Sequence, residues 1–421
     1  MTTHSTVNLT DPELARSPAR SHATIRESAP IARAEIPGVG QVWLVSRYED
    51  VKAVLSDSRF VRNPDNVPGM KANNLTQAFR QHSGINEEFA VYTSSSLTQL
   101  DAPEHSRLRK LVSRAFTARR IAALRPSVER IAEDLLDALP SHAENGVVDL
   151  LAHFAYPLPV TVIGELIGVP HRDRAVWKER SGAVLTTISG GADPTVINEA
   201  LGNLIDYAQD MIEQRRREPR DDLTSALVQA QEKDGDRLST TEMVTLIFTL
   251  VFAGHETTAT LIGNGTVALL SHPDQRAKLQ RDPALLPRAV HEMLRWCGVI
   301  TLGGRPGYAT EDVELNGTVI QRGEAVMTSL VGANFDPRVF ADPDAFDITR
   351  DTDGRPETHV AFMHGPHYCL GAALARQEGE VAFEALLRRY PRLALATDSR
   401  ELELDANLAQ FRYAAIPVTL H

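Results

Sequence analysis

The feature that most constrains this sequence is a glycine-punctuated loop that ends in a cysteine at the start of a helix. The loop reads HVAFMHGPHYC from His359 to Cys369, and the amphipathic pattern ALARQEGEVAFEALLRRY follows it. The positive end of a helix dipole lowers the pKa of a thiol, so we expect a low pKa and a thiolate at Cys369. Gly365 permits a backbone conformation that residues with side chains avoid. Gly371 lets the helix approach a flat and bulky group.

Three interpretations of this loop stay open on the residues alone. A lone cysteine is most often a small buried hydrophobic residue. The side chains of His359, His364, His367 and Cys369 could instead form a zinc cluster, although a closed zinc site usually takes four ligands at typical spacings and this run has one cysteine. The third interpretation is a metal-containing cofactor bound through the thiolate.

Composition and charge exclude some classes of protein. The chain has 421 residues, of which 43% are hydrophobic and 24% charged, so it can bury a large core. Its net charge of −11 argues against a nucleic-acid partner. The two cysteines, Cys297 and Cys369, favour a reducing compartment. The N-terminal sequence shows neither a signal peptide nor a membrane anchor, so we expect a cytoplasmic protein, with residues 1–25 loosely ordered.

The hydrophobic pattern predicts a mainly α fold with small β-sheets. Helical periodicity dominates from Glu104 to Trp296, and its most apolar stretch, from Met243 to Gly254, is too short to span a bilayer and is typical of a buried core helix. Alternation and turn residues predict two hairpins, formed by Ile31–Ile36 with Val42–Val45 and by Val313–Leu315 with Thr318–Ile320.

A second motif lies in the apolar helix, at Ala253-Gly-His-Glu-Thr-Thr258. The hydroxyl of Thr257 can bond back to the carbonyl of Ala253 and bend the helix. Together with Gly254 this opens a groove beside a hydroxyl and the carboxyl of Glu256, which suits dioxygen activation with a controlled proton source. A zinc-protease interpretation needs a second histidine where this chain has Ala259, and an ordinary core helix is the other alternative.

These two motifs resemble those of one family. The pattern F-x-x-G-x-H-x-C-x-G, from Phe362 to Gly371, resembles the haem-binding signature of the cytochrome P-450 family, and it departs once, at Met363, where the family usually has glycine. The helix motif resembles the family's oxygen-activating motif, A-G-x-(D/E)-T-(S/T). The resemblance runs from about Val42 to the end of the chain. It implies a triangular helical prism, a single domain over residues 1–421, and haem b whose iron is bound by Cys369.

The resemblance also implies roles for individual residues. Glu256 and Thr257 would form the acid–alcohol pair that delivers protons, beside Ala253 and Gly254 in the oxygen groove. Glu292 and Arg295 match the family's E-x-x-R pair, which stabilises the core on the cysteine side of the haem. The proline that usually follows that pair is replaced here by Cys297-Gly298-Val299.

The haem propionates would bind basic side chains. His105, Arg109, His359 and His367 match the family's propionate-side positions. A further family arginine falls at Gly307, and the nearest arginine is Arg305, two residues earlier. Side chains along a strand point alternately to its two faces, so Arg305 would lie on the same face as position 307, and we expect it to reach a propionate. The alternative is that Arg305 faces solvent or substrate.

The reaction implied by the resemblance inserts one oxygen atom of O2 into a small organic substrate. Ferredoxin and ferredoxin reductase would supply electrons, and the similar bacterial members suggest a hydroxylase or epoxidase of secondary metabolism. Two alternatives are a haem-thiolate gas sensor without turnover and a peroxide-driven or isomerising enzyme. The pocket is expected to be largely apolar and to draw on residues 91–97 with Leu97, residues 185–196, Leu250, residues 299–302 with Val299 and Ile300, and residues 408–411 with Phe411.

Overall fold

The computed structural model describes residues 6–70, 75, 78, 86–177, 194–233, 236, 238–352, 354–355, 357–405 and 409–420. The fold is mainly α with small β-sheets, as predicted. The described helices are α1 (Pro12–Arg16), α2 (Pro18–Ser28), α3 (Tyr48–Ser56), α4 (Glu87–Ser94), α5 (Glu104–Ala115), α6 (Ala118–Ala138), α7 (Pro157–Ile167), α8 (Pro194–Arg217), α9 (Leu223–Lys233), α10 (Thr240–Ser271), α11 (Pro273–Arg281), α12 (Leu286–Trp296), α13 (Leu330–Asn334) and α14 (Ala372–Arg389).

The strands form three small sheets. The strands are β1 (Val7–Asn8), β2 (Ile31–Ile36), β3 (Gly40–Val45), β4 (Phe60–Val61), β5 (Val147–Asp149), β6 (Gly307–Ala309), β7 (Val313–Leu315), β8 (Thr318–Ile320), β9 (Ala325–Thr328), β10 (Ala394–Leu395) and β11 (Pro417–Thr419). The largest sheet has six strands in the order β1-β2-β3-β9-β6-β4, and a three-stranded sheet has the order β10-β11-β5. The hairpin predicted around Asn316 is β7 paired with β8, antiparallel.

The N-terminal segment corrects one expectation. We expected residues 1–25 to be loosely ordered, but from Val7 onward they form β1, which pairs with β2, and the helices α1 and α2. The reason is an apolar face that the polar composition hid: Ile25 is buried, and buried His22 shares a 2.9 Å hydrogen bond with the hydroxyl of Ser329. Burial lowers the pKa of His22 to about 4.

The central helix α10 passes through the core. It begins with a capping box, in which the Ser239 hydroxyl accepts from the Glu242 amide at 3.1 Å and the Glu242 carboxylate accepts from the Ser239 amide at 2.7 Å. By length and composition α10 could cross a membrane, but its most apolar window is 61% buried inside the protein. The core helices of soluble proteins have the same composition, so this helix is weak evidence for a membrane.

Helix α14, which follows the cysteine loop, packs against α6, α10 and α12. Its Glu378 is 1% exposed, and one carboxyl oxygen has no hydrogen-bond partner. Burial raises the pKa of Glu378 to about 8. The carboxyl is therefore protonated in the folded protein at neutral pH.

Glu378 makes stability depend on pH in a defined direction. Its folded-state pKa lies above the ordinary value, so between about pH 4.5 and about pH 8 the folded chain holds a proton that the unfolded chain releases, and stability falls as pH rises. We expect Glu378→Gln to gain stability over wild type as pH rises through this window, by up to about 1.4 kcal/mol per pH unit. Thermal unfolding across this pH range measures it.

Exposed Glu384 on the same helix gives the matched control, since Glu384→Gln should show no such trend. A Glu378→Gln stability difference that is constant with pH would contradict the burial argument.

Candidate active site

The loop before α14 presents Cys369 from a tight turn. The amide of Cys369 donates to the carbonyl of Phe362 at 2.9 Å, and the amide of Tyr368 donates to the carbonyl of Gly365 at 3.1 Å. Gly365 has φ +70°, and a Cβ there would lie 2.6 Å from the Leu55 carbonyl oxygen. A side chain at this position is therefore excluded both by backbone conformation and by the approach of α3.

The one departure from the family pattern has a backbone consequence. Met363, where the family usually has glycine, adopts φ +67°, in the left-handed region that favours glycine. A residue with a side chain pays about 1–2 kcal/mol in this conformation. Met363 packs partly buried against the cluster around Tyr48 and Val360, which offsets part of that cost.

The thiol of Cys369 corrects a second expectation. The helix end does help, because the Gly371 amide forms a hydrogen bond that lowers the pKa of Cys369, as do the charges of Arg109 and Arg376. Burial has the larger effect, however, and the net shift raises the pKa of Cys369. The sequence indicated the helix end but not the depth of burial. The low pKa predicted for the thiol of Cys369 was therefore wrong.

A basic cluster lies on one side of this cysteine. His105 and Arg109 project from α5, and the rings of His105 and His367 are 4.3 Å apart. Burial lowers the pKa of Arg109, while the nearby Cys369 has the opposite effect. In the described part of the chain, Arg109 forms no ion pair with a carboxylate. The structure thus brings together three of the five residues predicted to bind propionates.

His359 lies in a second group. Its Nε2 is 3.0 Å from Nδ1 of His291 on α12, and burial lowers its pKa well below the ordinary value. Glu357 lies in the same group, where it accepts from Tyr368 at 3.1 Å and from Arg376 at 2.8 Å. The propionate role of His359 stays a prediction, since its hydrogen bonds run to His291 and to the backbone of its own loop.

Arg305, the fifth predicted residue, has an exposed side chain. The strand β6 begins at Gly307, so Arg305 lies just before the sheet rather than within it. Its backbone carbonyl accepts a hydrogen bond from the guanidinium of Arg62, which the sequence analysis had not singled out. The buried arginine at this point is therefore Arg62 and not Arg305.

The acidic and basic residues of the E-x-x-R motif form a buried ion pair. Two nitrogens of Arg295 each lie 2.8 Å from an oxygen of Glu292, and both side chains are almost fully buried. The remaining donors of Arg295 reach the carbonyls of Asn334, Pro343 and Ala345 at 2.9–3.0 Å. This pair therefore ties α12 to residues 333–350, which precede the cysteine loop.

On the central helix, the acid and the alcohol have different partners. The Thr257 hydroxyl donates to the Ala253 carbonyl at 2.7 Å, which is the bond that the sequence predicted. The Glu256 carboxylate forms an ion pair with Arg412, which also binds Asp405 at 2.5 Å. Arg412 comes from the C-terminal segment, and no pattern in the sequence linked it to Glu256.

Gly254 has a packing role beside its predicted one. A Cβ at Gly254 would lie 2.6 Å from Cδ1 of Ile163 on α7. The absence of a side chain therefore lets α7 and α10 pack closely. Ala253, one residue earlier, is exposed, and its place in the oxygen groove stays a prediction.

Two of the predicted pocket segments lie side by side. The amide of Thr301 donates to the carbonyl of Ala409 at 2.8 Å, and Asn264 of α10 donates to the carbonyl of Phe411 at 2.8 Å. Val299 and Leu97 are buried, whereas Leu250, Ile300 and Phe411 are partly buried. Residues 185–193 and Leu408 lie outside the described residues.

The chemistry of these side chains fits a haem with a thiolate ligand. Cys369 supplies one soft donor at the end of a glycine-shaped loop, next to a helix that begins at Ala372. Arg109 supplies a partly buried positive charge that forms no ion pair with a carboxylate among the described residues, and His105 supplies a ring N–H donor beside it; the propionates of a haem would accept from both. A zinc cluster fits less well, because His359 points to His291 and His367 to His105.

Comparisons with known proteins agree with this geometry. The sequence model of the cytochrome P-450 family matches residues 191–408. The chain is 39% identical over 402 residues to 6-deoxyerythronolide B hydroxylase of Saccharopolyspora erythraea, covering 95% of each chain. It is 41% identical to mycinamicin IV hydroxylase/epoxidase of Micromonospora griseorubida, covering 91% of each chain. The solved structure of PksS from Bacillus subtilis superposes with a TM-score of 0.85 at 36% identity, covering 97% of this chain and 98% of that one.

The chain belongs to the cytochrome P-450 family. The predicted fold class and the interpretation as a monooxygenase, an oxidoreductase that incorporates oxygen, are thereby confirmed. Membership in the family implies a haem-thiolate cofactor, the use of O2 and of redox partners, and an organic substrate.

The buried pair generates a stability prediction. Removing Glu292 leaves Arg295 as an uncompensated buried charge, which costs about 3–5 kcal/mol. We expect Glu292→Ala to lower the free energy of unfolding by that amount and to yield little haem-loaded protein, as measured by denaturant unfolding and by the ratio of haem to protein.

The control is the exposed pair of Arg130 and Asp134, with an N–O distance of 3.5 Å. Asp134→Ala should cost less than about 1 kcal/mol. A Glu292→Ala protein that is fully loaded and as stable as Asp134→Ala would contradict the role assigned to the buried pair.

Proposed function

We propose that this chain is a haem b monooxygenase that inserts one atom of O2 into a largely apolar organic substrate, as a hydroxylase or epoxidase of secondary metabolism. Residues 1–421 would act as one domain. The observation that carries the proposal is the partly buried Cys369 at the end of its loop, beside Arg109, which forms no ion pair with a carboxylate among the described residues. Relatives named as a 6-deoxyerythronolide B hydroxylase and a mycinamicin IV hydroxylase/epoxidase support it.

The haem would be held by residues from three parts of the chain. Cys369 would bind the iron, with the Gly371 amide donating to the sulfur. His105, Arg109 and His367 would bind propionates, and Phe362 and Gly365 would shape the loop beneath the ring. When bound, the haem supplies the redox chemistry that activates O2. A buried thiol with a raised pKa is stabilised as thiolate by binding the metal.

Glu256 and Thr257 would manage protons. The Glu256 carboxylate lines a cleft of about 270 Å³ together with Tyr156, Asp405 and Arg412, on a side of α10 that the C-terminal segment covers. Arg412 forms an ion pair with this carboxylate and would orient it, and Glu256 would exchange protons with solvent in the cleft. The Thr257 hydroxyl donates to the Ala253 carbonyl, so its oxygen lone pairs would accept a hydrogen bond and hold a proton donor in place beside Glu256.

The substrate would contact the apolar residues that line the two adjoining segments. Val299 and Leu302 are buried, and Ile300 and Phe411 are partly buried beside them. The side chains of Leu97 and Leu250 belong to one apolar cluster on the helical side. An apolar substrate of the size of a macrolide or a polyketide chain is the class that the named relatives suggest.

We further propose ferredoxin and ferredoxin reductase as electron donors, and the cytoplasm as the location. Two alternatives make different predictions. A gas sensor would bind carbon monoxide but would not consume NADH when substrate is added. A peroxide-driven enzyme would turn over with hydrogen peroxide but not with ferredoxin, its reductase and NADH.

The role of Thr257 in proton delivery is tested by measuring how much of the consumed O2 and NADH leads to product. With a substrate selected by its low-to-high spin shift of the ferric haem, Thr257→Ala should still consume O2 and NADH but should release most of the reducing equivalents as hydrogen peroxide. Product formed per NADH should fall about tenfold. The measurement combines NADH consumption, peroxide and product.

Thr266→Ala is the matched control, since the buried Thr266 forms the same backward hydrogen bond, at 2.8 Å to Ile262, further along the same helix. Coupling unchanged in Thr257→Ala, or lost equally in both variants, would remove Thr257 from the proposed proton path.

A further inference from the structure

The position of Arg62 suggests for this residue the role that we had expected for Arg305. Strand β4 pairs antiparallel with β6, with Phe60 opposite Ala309 and Val61 opposite Tyr308. Extending this register by one residue places Arg62 directly opposite Gly307. Directly opposite residues of an antiparallel pair have their side chains on the same face of the sheet.

Gly307 cannot easily carry a side chain on this face. A Cβ at Gly307 would lie 3.2 Å from Cβ of Phe60, closer than an ordinary van der Waals contact. Arg305, the nearest arginine before that strand, has an exposed side chain. The strand β6 therefore offers no buried arginine, whereas the neighbouring strand offers Arg62, which is 9% exposed.

The guanidinium of Arg62 has few partners within the protein. One nitrogen donates to the backbone carbonyl of Arg305, so the side chain extends across the segment before Gly307. The nearest carboxylate, Asp101, is occupied by the amides of Arg62 and Asn63, at 2.7 and 2.9 Å, and by the side chain of Asn66 at 2.9 Å. Within the described residues, the charged end of Arg62 thus forms no ion pair with a carboxylate.

Arg62 also belongs to the basic cluster beside Cys369. The guanidinium of Arg62 lies close enough to His367 to interact with it electrostatically, and the His367 ring is 4.3 Å from that of His105. Burial lowers the pKa of Arg62 itself to about 10, although the charge of Asp101 acts in the opposite direction. A buried arginine that carries such a cost is stabilised by an anionic ligand.

We propose that Arg62 binds a carboxylate of the haem and replaces, from the adjacent strand, the arginine that this chain lacks at Gly307. The planar guanidinium can bind a carboxylate through two parallel hydrogen bonds. The bond to the Arg305 carbonyl orients it for that contact. This inference rests on the proposed haem cofactor and adds a residue to its binding site.

The test compares haem loss from holoenzyme variants to an excess of apomyoglobin. Arg62→Ala should lose haem about tenfold faster than wild type, because a charge-assisted hydrogen bond is removed. Arg62→Lys should be intermediate, since it keeps the charge without the planar fork. Arg305→Ala should match wild type. So should Arg59→Ala, the matched control, because Arg59 lies on the same segment and pairs at the surface with Asp57 at 2.6 Å.

Haem dimethyl ester separates a carboxylate contact from general damage to the fold. The wild type and the Arg62 variants are reconstituted with haem or with the ester, which has no ionised carboxylates. If Arg62 binds a carboxylate, Arg62→Ala and Arg62→Lys weaken retention of haem but not of the ester, relative to wild type. Equal weakening of both ligands, or a rate of haem loss equal to that of Arg59→Ala, would overturn the inference.

The same experiments distinguish a failure of the Arg62 assignment from a failure of the proposed function. A wild-type protein that binds no haem would contradict the function itself. A wild type that holds haem as firmly as its Arg62 variants would contradict only the assignment of Arg62.

Discussion

Two arginines beside Cys369 that form no ion pair with a carboxylate among the described residues, together with two neutral imidazoles, are the constraint on which the site depends. Arg109, Arg62 and the imidazoles of His105 and His367 lie together next to Cys369, and burial lowers the pKa of each of these basic groups. Placing cations in a protein interior is unfavourable unless an anion accompanies them. The propionates and thiolate-bound iron of a haem would supply that negative charge, so the site and its cofactor would stabilise each other.

The rest of the fold holds this cluster and the cysteine in register. The pair of Glu292 and Arg295 connects α12 to residues 333–350 through several backbone carbonyls, and these residues lead directly into the cysteine loop. Close packing of α7 against α10 at Gly254 sets the position of the central helix. As a result, Thr257 and Cys369 are both fixed by contacts that lie outside the site itself.

Local patterns predicted most of the fold, because they act over short distances. The hairpin at Asn316 and the strands on either side were predicted from strand-like residue patterns and from the turn residues between them. The hydrogen bond from Thr257 to Ala253 was predicted because the two residues are four apart, which is one turn of a helix. The helix end at Cys369 was also predicted, but the burial that raises its pKa depends on the whole tertiary structure.

The residues that the sequence missed come from long-range pairing. Arg62 meets the segment at Arg305 across 243 residues, through the register of two short strands that no local pattern specifies. Arg412 reaches Glu256 from the C-terminal segment in the same way. The buried face of residues 6–25 was hidden because its few apolar side chains are complementary to a sheet formed by later residues.

The most direct test of the account concerns the two cysteines. Cys297 is buried at the C-terminal end of α12, where burial raises the pKa of its thiol, whereas Cys369 ends the loop beside the basic cluster. The measurement is the absorbance spectrum of the reduced protein with carbon monoxide, in wild type, Cys369→Ser and Cys297→Ser. The account predicts the red-shifted Soret band of a thiolate-bound haem in wild type and Cys297→Ser, and its loss in Cys369→Ser. Loss in neither variant, or in Cys297→Ser alone, would contradict it.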